Sequence, residues 1–222
     1  MDATLKIGGS LAEEPEKLRA LCRELSEMAR THRIAVVPGG GRFADVVREL
    51  DERFRLRDTV AHNLAILAMD QYGMLLSSIT PGSHTTRTLD GARTHSEAGL
   101  LPILLPSRLM SRADPLPHSW EVTSDSITAY IAGELRSEKL VLVTDVDGIY
   151  TGDPKEDPAA ELIEEISVAE LSTRGARTSV DAYLPRIISE TLMDCYVVNG
   201  RHPERVRAIL DNELPRCTLV RA

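Results

Sequence analysis

Aromatic side chains are scarce in this chain: five Tyr, two Phe and a single Trp, 4% of 222 residues. The core must therefore be built from Leu, Ile, Val and Ala, and the 42% hydrophobic content supplies them. Positive charge is also short. There are 26 Lys and Arg against 34 Asp and Glu, for a net charge of −8. An acidic chain neutralises few backbone phosphates, so nucleic acid is excluded as a general partner and any phosphate site must be local. Cysteine is sparse too. Cys22, Cys195 and Cys217 are widely spaced and form no CxxC. That excludes a disulfide framework and a zinc site, and it suits small buried hydrophobes in a reducing compartment. An apolar run long enough to span a bilayer, about 18 residues, is missing. No secretory leader is recognised before the first strand. The expectation is a soluble, cytoplasmic protein with no membrane partner.

The pattern that is present alternates strand and helix. Ala3–Ile7, Ile34–Val37, Leu101–Leu105, Leu140–Thr144, Tyr196–Val198 and Thr218–Val220 read as strands, and Leu162–Ile166 as a short one. Glu16–Thr31, Phe43–Leu50, Thr59–Leu76, Thr123–Leu135, Leu184–Cys195 and Pro203–Asp211 carry helical spacing. Asp58 or Thr59 is the expected cap of the long third helix, and Thr123 or Ser124 that of the fourth. Thr80–Ser96 reads as irregular structure or short strands, and Ser111–His118, with two prolines, as a loop. Alternation of this kind predicts an α/β sandwich around a mostly parallel sheet, in one domain.

Glycine interrupts this pattern at two informative places. "TLKIGGSL" (Thr4–Leu11) puts Lys6 on the strand face opposite Leu5 and Ile7, and then breaks at Gly8, Gly9 and Ser10. A strand–glycine turn–helix unit presents backbone N–H groups to an anion. An edge strand with a solvated lysine has the same local pattern. "VVPGGGRFAD" repeats the unit at Gly39, Gly40 and Gly41. In a parallel sheet both turns lie at the C-terminal edge, where ligands bind, and two such turns suit opposite ends of a polyphosphate. Gly39-x-Gly41-x-x-Ala44 also matches the dinucleotide fingerprint, but the strand ending in an acidic residue that should follow is replaced by helix through Leu76. A Walker loop is absent. A third segment, "LVLVTDVDGIYTGDPK" (Leu140–Lys155), runs from a buried strand into an acidic, glycine-containing loop. It is no EF-hand, because its glycine falls at loop position four where calcium loops need it at about six.

Together these stretches resemble the amino acid kinase family over nearly the whole chain. "KIGGS" is similar to that family's first phosphate loop and "PGGG" to its second. "TSDSITA" (Thr123–Ala129) resembles the segment whose aspartate organises the catalytic lysines, and "TDVDGIYTGDP" resembles the nucleotide loop. "VNGRHPERVRAIL" (Val198–Leu210) fits the family's closing strand and helix. The resemblance implies a three-layer α/β/α sandwich with a mostly parallel central sheet, and phosphoryl transfer from ATP, with Mg²⁺, to a small-molecule acceptor. Lys6 would contact the transferred group. Gly8, Gly9, Gly40 and Gly41 would donate backbone N–H groups, with Ser10 and Gly39 in the same two phosphate loops. Asp125 would hold the cations. Thr144, Asp145, Asp147, Gly148, Tyr150, Asp153, Pro154 and Lys155 would form the nucleotide site, and no residue is assigned as a metal ligand. Residues from about 1 to 120 would form an acceptor-binding half and those from about 121 to 222 a nucleotide-binding half.

The chain departs from the family at one position. A second lysine is expected late in the family's pattern, and the nearest match, "DAYLPRI", puts Arg186 there. A planar guanidinium is not equivalent to a compact ammonium. "DTVAHNLAILAMDQYG" and "HSWEVTSDSITA" resemble the branch whose acceptor is an aminomethylfuran-methyl phosphate, made into a diphosphate for methanofuran-type cofactors. Uridylate, isopentenyl phosphate and carboxylate acceptors remain as alternatives, and so does a non-catalytic nucleotide or oxyanion binder. Arg42, His62 and Asp70 are the candidate acceptor contacts, with Asp70 suited to an acceptor amine; Trp120 reads most simply as packing. A homo-oligomer is expected.

Overall fold

A computed structural model describes residues 1–154, 156–174 and 179–222. β1 (Ala3–Ile7) is buried at every residue, because it pairs in parallel on both sides, with β2 (Ile34–Pro38) and β5 (Lys139–Thr144). Successive side chains of a strand leave opposite faces. Leu5 and Ile7 therefore enter one core together with Leu18, Leu21 and Leu25 of α1 (Pro15–Met28) and Val206 and Ile209 of α9 (Pro203–Leu210). The other core gathers Val37, Leu140 and Leu142 with Ile127 and Ile131 of α6 (Ser124–Leu135) and Ile187 and Ile188 of α8 (Leu184–Thr191). Two cores on two sheet faces make the three-layer sandwich that the family resemblance implies.

Among the described residues the main sheet has eight strands. Their order is β3 (Ser83–Thr86), β4 (Leu101–Leu104), β2, β1, β5, β9 (Cys195–Asn199), β10 (Thr218–Arg221) and β8 (Glu165–Ser167). All neighbouring pairs are parallel except β9–β10. A separate hairpin joins β6 (Ile149–Tyr150) to β7 (Leu162–Ile163). The chain builds outward from β1 through β2, then returns to the other side of β1 with β5. The seam between β1 and β5 is therefore the topological switch point, where ligands of open parallel sheets bind.

α2 (Gly41–Phe54) and α3 (Asp58–Ile79) follow the second glycine loop and pack against each other. Two helices lie where irregular structure was expected. α4 (Leu89–Glu97) buries only Ala92 and Ser96 and so lacks an apolar stripe to betray it; Thr88 caps it by accepting from the Gly91 N–H at 3.1 Å. α5 (Ser107–Ala113) precedes the prolines that suggested a loop. α7 (Val168–Arg174) completes the helices among the described residues. α8 stops at Thr191 with Leu192 in the left-handed region, four residues before the predicted helix end at Cys195, which instead opens β9.

Candidate active site

Both glycine loops sit at the C-terminal edge beside the switch point. The Gly8 N–H donates to the Val143 carbonyl at 2.8 Å, and the Gly39 N–H to the Ile7 carbonyl at 2.8 Å. These two bonds extend the β5–β1–β2 ladder past the strand ends. They also correct an expectation: Gly8 spends its N–H on the fold and does not offer it to phosphate, and the Gly39 N–H, in the other loop, is spent in the same way. The loops meet at Gly9 and Gly41, where a Cβ on Gly9 would fall on the Gly41 Cα and N. Gly41 has φ +54°, a conformation open to glycine and costly for most side chains. It opens α2, so the N–H groups of that helix's first turn lack intrahelical acceptors and carry the positive end of its dipole. Gly9 and Ser10 begin a short 3-10 helix, Gly9–Glu13, on the facing side.

Lys6 lies beneath these loops. Its Nζ is 2.8 Å from Asp125 Oδ1, and both side chains are less than a tenth exposed. The strand's alternation puts Lys6 on the α6 face, and α6 brings Asp125 in its first turn. A second carboxylate, which sequence reasoning missed, fixes this end of α6. Asp181 Oδ2 accepts from the Thr123 N–H, the Thr123 hydroxyl and the Ser126 N–H at 2.8–2.9 Å; its Oδ1 accepts from Ser126 Oγ at 2.5 Å and the Leu184 N–H at 2.9 Å. Thr123 occupies the cap position without capping through its own side chain. The Asp181 N–H donates in turn to Asp125 Oδ2 at 3.2 Å. Burial, and next the Asp125 charge, push the Asp181 carboxyl above its usual range, against the hydrogen bonds from Ser126 and Thr123.

The acidic loop after β5 is used in several ways. Ser10 Oγ donates to Asp145 Oδ1 at 3.0 Å and so ties the first glycine loop to it. The buried Thr144 hydroxyl reaches the same oxygen at 3.4 Å. Arg201, held by Glu14, donates to the Asp145 carbonyl at 2.5 Å. Asp147 was expected to face the nucleotide. Its carboxylate is occupied instead by Asn199 Nδ2 at 3.0 Å, Arg205 Nη1 at 2.7 Å and Arg216 Nε at 2.7 Å. Burial opposes its ionisation, but the amide and two guanidinium groups outweigh it and hold the carboxyl at about 2. Gly148 leaves room for the Thr218 hydroxyl rather than for a ligand. Tyr150 lies in β6, and the Asp153 carbonyl accepts from the Glu156 and Asp157 N–H groups. Pro154 is exposed, and Lys155 lies outside the described residues.

A cleft of about 370 Å³ opens from Gly9, Ser10, Gly40 and Gly41 toward α3 and the start of α6. Arg42 stands at its rim, 83% exposed and paired with Glu13 at 3.0 Å. His62 lines its wall, buried and stacked on His118 at 4.6 Å between centroids. Burial, and next the neighbouring His118, lower the His62 pKa, with Asp114 opposing, so the ring in the wall is neutral at pH 7. Asp70 does not reach the cleft. It accepts from the Ser107 N–H at 3.0 Å and Ser107 Oγ at 2.5 Å, and so caps α5. Arg48 and Trp120 also line the cleft; the guanidinium carbon lies 4.8 Å from the indole centroid, and Trp120 Nε1 donates to Asp51 Oδ2 at 2.7 Å. Trp120 is thus more than packing, and Arg48 was missed because it follows the glycines by two helical turns. Arg186 is not brought here. It is two-thirds exposed on α8, pairs with Glu190 at 3.1 Å, and lines a separate cavity with Tyr130 and Tyr183.

The profile of the Amino acid kinase family matches residues 4–199. Among curated relatives, the [5-(aminomethyl)furan-3-yl]methyl phosphate kinase of Methanocaldococcus jannaschii is 35% identical over 209 residues, covering 94% of this chain and 93% of the relative. The uridylate kinase of Methanococcoides burtonii is 27% identical, covering 94% and 91%. Among solved structures, the uridylate kinase of Archaeoglobus fulgidus superposes with a TM-score of 0.77 at 24% identity, over 99% of this chain and all of that one. That likeness confirms the three-layer fold.

Proposed function

Since the chain belongs to the amino acid kinase family, we propose that it moves the γ-phosphoryl group of ATP onto a phosphate monoester of the aminomethylfuran-methyl type, giving a diphosphate and ADP. The observation that carries this reading is the buried Lys6–Asp125 pair, whose ammonium lies against Gly8, the residue before the Gly9–Gly41 junction that edges the cleft. An acceptor phosphate oxygen attacks the γ-phosphorus, and the bond from that phosphorus to the β,γ-bridging oxygen breaks. An anionic acceptor needs no general base, so catalysis rests on position and charge. Lys6 neutralises charge on the transferred group, and the first-turn N–H groups of α2 with those of Gly9 and Ser10 hold phosphate oxygens. Asp125, held by the Asp181 N–H, keeps the ammonium in place.

The nucleotide lies over Thr144, Asp145 and Tyr150 in this reading, in the half from about residue 121, and the acceptor lies against Arg42 and His62 in the half before it. The described residues include no group of three or more His, Cys, Asp and Glu placed to hold a metal ion. In this reading Mg²⁺ arrives on the nucleotide phosphates, as this hard cation commonly does. The three cysteines are free and buried, which suits a cytoplasmic setting, and no helix among the described residues is long and apolar enough to cross a membrane. A homo-oligomer is supported by one exposed stripe on α2, Phe43, Val46, Leu50 and Phe54, continued on α3 by Leu67 and Met74, with Arg53 and Glu49 beside it as opposite charges for a second copy.

The test is ADP formation from Mg-ATP with aminomethylfuran-methyl phosphate, UMP, isopentenyl phosphate, acetylglutamate and aspartate. Turnover with one phosphate ester, abolished in Lys6→Ala, is expected. ATP binding without turnover on any acceptor would replace this reading with a nucleotide-binding protein. UMP is the second acceptor to watch, because uridylate kinases stand among the relatives.

A further inference from the structure

Beside the acceptor cleft lies a second cavity of about 130 Å³, lined by Asp58, Ala61, His62, Ala65, Ser119, Trp120 and Val122. The two spaces share His62, Ala65, Trp120 and Val122, so these side chains stand between them. Trp120 is by far the largest of them. Its ring is fixed at its edge by the 2.7 Å bond from Nε1 to Asp51 Oδ2, and on a face by Arg48 at 4.8 Å. Asp51 and Arg48 both belong to α2, the helix that opens at Gly41. Swinging the indole away would therefore break a hydrogen bond to a charged group and a cation–π contact. His62, the other polar member, is braced by its stack on His118, and His118 is itself held by Thr59 at 3.0 Å and Asp114 at 2.7 Å.

We propose that Trp120 is the specificity-determining residue of the acceptor site: it closes the cleft to one small ring and shuts out nucleoside monophosphates. This rests on the kinase reading above. With its phosphate at the glycine loops, a single-ring ester ends against the indole and the neutral His62 ring, with Ala65, Ile66 and Met69 as apolar walls. A base carried further by a ribose would need the space behind the indole, where Asp58 and Ser119 offer polar groups to its edge. In this chain that space is walled off.

The experiment compares wild type, Trp120→Phe and Trp120→Ala with benzyl phosphate as the single-ring probe and UMP as the nucleotide probe. Two readouts are taken: kcat/KM with Mg-ATP, and equilibrium binding of each probe without ATP. Because Trp120 is the only tryptophan, quenching of its fluorescence reports benzyl phosphate in the wild-type cleft directly. Trp120→Ala should lose at least ~10-fold on benzyl phosphate and gain at least ~10-fold on UMP, the scale of pocket-based discrimination, with Trp120→Phe between. A general loss of structure would lower both probes together and leave their ratio unchanged. A ratio constant within about twofold across the three proteins, or a wild type that prefers UMP, overturns the proposal. If Trp120→Ala does not fold, the Trp120→Phe ratio decides. If no protein turns over either probe, the kinase reading fails, while the binding ratio still decides whether the indole sets the depth. Absence of binding by either probe to any of the three proteins overturns the proposal.

Discussion

Lys6 was legible because a strand has period two. A lysine between Leu5 and Ile7 must face away from their core, and the following glycines said what it might face. Asp125 was legible only through its segment's resemblance, and Asp181 not at all, since its five donors come from residues up to 58 positions away and no local pattern announces them. Replacing Lys6 by Met should abolish ADP formation and leave Asp125 buried without its cation. Breaking a buried pair in this way costs about 3–5 kcal/mol, so urea unfolding should show a lower midpoint. Lys6→Arg should restore much of the stability and little of the activity, because a planar fork does not replace a compact ammonium; recovered turnover would remove Lys6 from its assigned role. His62 supplies a pH test. Its folded pKa lies below the ordinary 6.5, so the unfolded chain binds the proton first as pH falls, and stability declines from about pH 6.5 downward. His62→Gln should lose this part of the decline, up to about 1.4 kcal/mol per unit of pKa shift, in melts at pH 7.5 and 5.5.

At the scale of elements, the long periodic segments were read well, apart from the end of α8 and the division of Leu162–Ile166 between β7 and β8, and the aperiodic ones only in part, as β3 inside Thr80–Ser96 shows. α3 shows its apolar face over many turns, whereas α4 buries little beyond Ala92 and Ser96. Asp70 illustrates the same limit. Its spacing from His62 suggested a shared cleft, but its carboxylate turns to the N-terminus of α5, an element that the sequence did not reveal. α6 makes the element-scale prediction. Asp181→Asn replaces an acceptor oxygen with an amide donor facing Thr123 and Ser126, or Ser126 and Leu184, whichever way it flips. Leaving such buried donors unmatched costs about 1–3 kcal/mol each. The expected result is a lower melting temperature together with a fall in kcat larger than any rise in KM for ATP, as the end of α6 and Asp125 shift. An unchanged kcat in a destabilised protein would confine Asp181 to a structural role.

For the molecule as a whole, the sandwich and its mostly parallel sheet followed from the alternation of strands and helices. The antiparallel β9–β10 pair did not, because the direction of β10, one strand in from the edge, depends on where the connecting loop lands. The exposed stripe on α2 and α3 makes the whole-molecule prediction. Sedimentation of the wild type should give more than one chain per particle, and Phe54→Glu, on a side chain 62% exposed, should shift it toward monomer without loss of secondary structure. A wild type that sediments as one chain at micromolar concentration would show that the stripe has no second copy to meet.

The junction of Gly9 with Gly41 joins two segments far apart in sequence without a side chain on either. Most tight contacts in a protein can absorb a larger residue on one side by shrinking the other. This one has no smaller state to retreat to. A methyl gained at either position has no second-site remedy at its partner, and a suppressor would have to move a strand end or the start of α2. This edge of the cleft is thus closed to stepwise exploration from both sides, and variation in the shape of the cleft must enter through its far wall.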